Sequence, residues 1–170
     1  MAYSASEKMK PMKCIPVNNN WAEKMSKTSN RLTQQINSII RKDEECSHAF
    51  NDFFRAIKTI YPSVTLFDCV HMISDEIIIK PIQKSLFNSE TKSFKPLMSS
   101  LEQKVIATLQ QYQITDAPKD LNEIYEFIRE KSLQSTSSSD RQQLIHEVYD
   151  NFLKKALPNR TLRHKKLFGS

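Results

Sequence analysis

A chain of 170 residues with one glycine, Gly169, and 39% apolar residues has room for one domain. It lacks the glycines that a phosphate-cradling loop, a dinucleotide fold or a series of tight hairpins would need. Its net charge of +6 belongs to its ends: Lys8, Lys10 and Lys13 against Glu7 in residues 1–20, and an unopposed Arg160, Arg163, Lys165 and Lys166 in residues 158–170. The stretch between them balances, which argues against a dedicated nucleic-acid domain with a basic face on its fold. Cys14, Cys46 and Cys69 form no disulfide framework, and the longest apolar runs, such as Ile77–Ile79, are too short for a membrane span or a signal sequence. A reducing compartment, cytosol or nucleus, is expected.

Residues 1–20, with Pro11, Pro16 and an asparagine run, read as a disordered tail. Helical spacing begins at Trp21 and Met25 and continues through Leu32, Ile36, Ile39 and Ile40. Asp43, Glu44 and Glu45 suit the first turn of a second helix, where carboxylates meet the positive end of the dipole. That helix carries Phe50, Phe53, Phe54, Ile57 and Ile60, and Pro62 ends it. Ser63 or Thr65 can cap a third, with the stripe Leu66, Val70, Ile73 and Ile77; Pro81 is expected to kink or stop it.

Residues 88–93 read as a connection to a helix carrying Phe94, Leu97, Leu101, Val105 and Leu109. Asp116-Ala117-Pro118 then starts a segment with Leu121, Ile124, Tyr125, Phe127 and Ile128. A Ser-rich joint, 135–139, precedes a last helix with Leu144, Ile145, Val148, Phe152 and Leu153, for which Ser139 and Gln142 have capping-box spacing. Pro158 ends it. The expected fold is all-α: an elongated helical hairpin or bundle over 21–157, with amphipathic helices and short disordered tails, the basic one being 158–170.

Reactive groupings are sparse. Cys46 with His48, and Cys69 with His71, stand two apart, which on a helix turns each pair about 200° away from a shared ligand, so no metal site is expected. Asp68, Cys69 and His71 are sequence neighbours, and adjacency is not triad geometry. No catalytic residue and no cofactor is expected, and the chain reads as a non-enzyme. The aromatic group Phe50, Phe53 and Phe54 reads chiefly as helix–helix core, with a partner face as the alternative. So many wide apolar faces in a short chain suggest a partner that covers some of them. The basic tail residues Arg160, Arg163, Lys165 and Lys166 suit nucleic acid, an acidic partner, a nuclear-import receptor or a solvated end.

Leu121-Asn122-Glu123-Ile124-Tyr125-Glu126-Phe127-Ile128 resembles the signature of a kinetochore family that includes polyamine-modulated factor of the Mis-twelve (MIND) complex, with Tyr125 where that family usually has Asp. His146, Val148, Phe152 and Leu153 are similar to its downstream helix. The resemblance implies a nuclear scaffold at the centromere and kinetochore, serving chromosome segregation in cell division. It would form an obligate heterodimer with a Mis-twelve-type helical subunit and contact centromere protein C and outer-kinetochore subunits. The charge-balanced middle of the chain, not the resemblance, is the ground for expecting no membrane contact and no direct nucleic-acid contact. Interface candidates are Phe50, Phe53, Phe54, Leu121, Ile124, Phe127, Ile128, Val148 and Phe152. The alternative is a basic-tailed helical adaptor at nucleic acid or a membrane surface.

Overall fold

The computed structural model describes residues 20–87 and 96–157, and among these every regular element is helical. The elements are α1 (Trp21–Lys42), α2 (Glu44–Ile60), α3 (Leu66–Phe87), α4 (Pro96–Leu109), α5 (Asn122–Gln134) and α6 (Ser138–His146). α6 runs on through a π-helical segment, Glu147–Leu153, and a last turn, Lys154–Ala156. The all-α expectation holds. The basic tail residues, the connection 88–93 and Phe94 lie outside the described residues.

Local chemistry sets the boundaries. Asp43 caps α2 by accepting the Cys46 N–H at 3.0 Å. Thr65 and Asp68 cap α3 reciprocally: the Thr65 hydroxyl accepts from the Asp68 N–H, and the Asp68 carboxylate from the Thr65 N–H, each at 3.0 Å. The cap of α6 is Ser137, two residues earlier than the spacing to Gln142 suggested; its hydroxyl accepts the Asp140 N–H at 3.0 Å. In a chain short of glycine, the turn after Tyr112 uses Gln113 in the left-handed region, φ 60°, where a β-carbon is disfavoured.

Paired contacts fix the helix directions. Tyr125 meets Ile78 and Ser132 meets Ser85, each pair 47 residues apart, so α3 and α5 run parallel in one register. Trp21 packs edge-on against Phe127 with ring centres 5.2 Å apart, while Arg31 reaches back to Asp120, so α1 runs antiparallel to both. α4 returns antiparallel along α2, its end meeting the start of α2: Gln111 and the Tyr112 hydroxyl both donate to the Asp43 carboxylate.

α3 is the centre, packed against α1, α2, α4, α5 and α6. From Cys69 to Ile79 all its residues but Glu76 are buried, and Ile82, Gln83 and Leu86 extend the buried surface. The stripe expected for it is corrected at its start and widened along its length: Leu66 is 52% exposed, and His71, Met72, Ser74, Asp75, Ile78 and Ile79 are buried. Polar residues enter this core because α1 partners them. Ser29 donates to Asp75 at 3.1 Å, and Ser74 donates to the Ser29 carbonyl at 3.1 Å. Pro81 neither stops α3 nor divides it. Most of the remaining apolar residues of the described helices pack into one core of the chain's own.

Candidate functional site

The seam between α3 and α5–α6 is the most specific construction in the molecule. Pro81 has no N–H for the carbonyl one turn back, and its ring crowds the helix there. At the adjoining carbonyl, Ile78, the Tyr125 hydroxyl of α5 donates at 2.6 Å. Two turns on, the Ser132 hydroxyl donates to the Ser85 carbonyl. At the end of α3, Arg141 donates to the Leu86 carbonyl at 2.7 Å and to the Ser132 hydroxyl at 3.2 Å. A cation at a helix C-terminus also meets the negative end of its dipole. Three side chains thus hold α5 and α6 to the backbone of α3. Burial pushes the Tyr125 phenol well above its ordinary pKa, keeping it a donor.

The apolar candidates sit on the inner side of this seam or in the core beside it. Leu121, Ile124, Ile128, Val148, Phe152, Phe50 and Phe53 are all buried within the chain. Phe54 and Phe127 are half-buried, with Lys58 and Lys131 over their rings at 5.3 and 5.6 Å. Surface apolar groups missed in the sequence are Ile60, Leu66, Phe67 and Leu133. Ile60 and Leu66 continue the apolar stripes of their helices, whereas Phe67 and Leu133 stand off those stripes.

The thiols are core groups. Burial, then the nearby Asp68 charge, pushes Cys69 up to about 12, and burial raises Cys46 as well. Of the imidazoles expected to be half-exposed beside them, His48 is exposed and His71 is buried against the Phe67 ring at 4.4 Å. Asp68 serves as a cap residue. His146 and Lys154 flank Asp150 at 3.2 and 3.8 Å on an exposed face. Among the described residues, no three His, Cys, Asp or Glu side chains gather as metal ligands, and no helix is long and apolar enough to cross a membrane.

Residues 18–155 match the family model described as the coupler domain of Type ISP restriction-modification enzymes. The chain belongs to that family. No curated protein and no solved structure matches the chain. The family spans nearly all the described helices, whereas the kinetochore resemblance rested on a short amphipathic signature and a similar downstream helix. It overturns the kinetochore and centromere assignment, and with it the MIND partners, centromere protein C, the chromosome-segregation role and the nuclear localisation. The physical reason lies in α5: the spacing of Leu121, Ile124 and Ile128 encodes a buried face, and that face is buried against this chain itself. Tyr125, at the position that departs from the kinetochore pattern, belongs to the seam with α3. A coupler domain is a coupling module and not itself catalytic.

Proposed function

We propose that this helical body is a rigid relay within a restriction-modification enzyme, holding the restriction and modification parts in a defined relation. The observation that carries this reading is the seam: parallel helices bonded at two equal registers, and an arginine joining three elements, resist bending better than apolar contacts alone. Residues 21–157 form the body, and 1–20 and 158–170 are the connecting tails. Phe54 and Phe127, together with Arg160, Arg163, Lys165 and Lys166 of the tail, are the candidates for contact with neighbouring parts of the enzyme.

The test replaces residues 21–157, within the restriction-modification enzyme that carries them, by a flexible Gly-Ser linker. Modification of DNA should persist while restriction falls to background. Full restriction across the flexible linker would refute the relay.

A further inference from the structure

The charges of residues 21–157 cancel in total but not in space. From Lys24 to Lys42, α1 carries five cations (Lys24, Lys27, Arg31, Arg41 and Lys42) and no carboxylate. Lys27, Arg31, Gln34, Ser38 and Arg41 follow one another at spacings of four and three, so they form a single exposed stripe about 21 Å long. The two halves of the stripe differ. Lys27 and Arg31 are engaged in ion pairs, by Glu23 at 3.3 Å and by Asp120 at 2.7 Å. Arg41 is in no such pair among the described residues, and Lys42 lies over the Tyr112 ring at 5.7 Å. Farther along, Gln34, Asn37, Ser38, Arg41 and Lys42 line an open hollow of about 500 Å³.

Arg41 and Lys42 also oppose the dipole at the end of α1, which accounts for two cations there. It does not account for the amides and hydroxyl that share the hollow with them. Cations interleaved with neutral Gln, Asn and Ser donors are the side chains that contact nucleic-acid phosphates and sugars. An acidic protein surface would be served by the cations alone. Glu44 and Glu45, exposed in the first turn of α2, limit the surface on its downstream side.

We propose that the second half of the α1 stripe, from Gln34 to Lys42, is a contact for the DNA phosphate backbone. The inference rests on the relay reading, since it names what the relay touches: the duplex on which its enzyme acts. It also reverses the expectation, drawn from the neutral total charge, that direct nucleic-acid contact is absent.

The test uses the full chain and a duplex of arbitrary sequence, with affinity measured between 0.05 and 0.2 M salt. Two matched variants each remove two exposed cations and keep both tails: Arg41→Gln/Lys42→Gln on α1, and Lys80→Gln/Lys84→Gln on α3. The first should weaken binding about sixtyfold at 0.1 M salt and flatten the log–log salt slope by about 1.8. The second should leave the slope unchanged. Equal losses in both variants, or none in the first, would overturn the proposal. Gln34→Ala/Ser38→Ala removes donors without charge, and alanine favours the helix, so this variant keeps the test valid if the charge variant folds poorly. It should weaken binding about fivefold at an unchanged slope; parental binding would refute the contact. The linker replacement described above reports on coupling separately. If that replacement uncouples the enzyme while Arg41→Gln/Lys42→Gln binds duplex like the parent, the relay stands and the DNA contact falls.

Discussion

α1 and α3 are both 22 residues long and lie antiparallel against each other, yet they relate to water in opposite ways. α1 buries one side, through Met25, Leu32, Ile36 and Ile39, and gives the other to solvent. α3 is surrounded, and Lys80 and Lys84 are the exposed residues of its second half. A helix with one wet face announces that face in its sequence; a helix packed from several directions has little periodicity to announce.

The sharpest way to break this comparison is to place a charge on each helix. Ile78→Asp puts a carboxylate at a position with no solvent exposure, at a cost of several kcal/mol, a large part of a typical domain's stability. Urea unfolding should show loss of cooperative folding. Gln35→Asp, on the wet side of α1, should change stability by no more than about 0.5 kcal/mol. A parent-like midpoint for Ile78→Asp would mean that α3 is not central. Ile124→Asp belongs with the first of these: Ile124 is buried in the chain's own core, so the substitution should unfold the chain without any partner being involved.

Next in size is Pro81→Ala. A proline inside a helix costs about 3 kcal/mol relative to alanine, so the variant should gain about 1–3 kcal/mol in denaturant titration. Tyr125→Phe, which leaves the Ile78 carbonyl short of a donor, should cost about 1 kcal/mol. In the Pro81→Ala background that cost should persist, because the N–H that alanine restores serves the Ile77 carbonyl and not that of Ile78. A double-mutant cycle with no coupling would show that Tyr125 and Pro81 act independently.

A further contrast lies at the far end of α1, where Asp43 joins two helices. The Tyr112 hydroxyl, then the Cys46 N–H, hold its carboxyl below the ordinary aspartate range, so folding favours the ionised form. This stabilisation is complete above the pKa of an unfolded aspartate and is lost as the pH falls through the lower folded value. Asp43→Asn keeps a good cap and removes the titration, so stability curves of parent and variant should converge toward acid pH. The smallest effect is expected at Glu23 and Lys27, an exposed pair one turn apart at 3.3 Å. Lys27→Ala should shift stability by a few tenths of a kcal/mol, and added salt should erase the difference.

The sequence made the fold class and several helix boundaries legible, because Asp43 and Pro62 act through local rules. The start expected at Asp116-Ala117-Pro118 is instead an uncapped 3-10 turn, Lys119–Leu121, ahead of α5. α3 was legible only in part. Ser74 and Asp75 look like surface residues until Ser29 of α1 is seen beside them, and Leu66 continues an apolar stripe into solvent. The candidate site was less legible still. The spacing of Leu121, Ile124 and Ile128 says which side of α5 is buried and nothing of what it is buried against. The seam depends on hydroxyls and an arginine aimed at carbonyls of a helix 47 to 55 residues away, and no local pattern encodes that pairing.

The parallel register of α3 and α5 gives the body a stepped response to load. Sliding one helix along the other by less than a turn breaks the Tyr125 and Ser132 bonds together, because both sit at the same offset. The next equivalent seating is a full turn away, about 5.4 Å, and neither hydroxyl has a matching partner along the way. Under a pulling force along the helix axes, the two bonds are therefore strained and broken together rather than one after the other. In mechanical terms the seam has the geometry of a detent, with two catches at one offset.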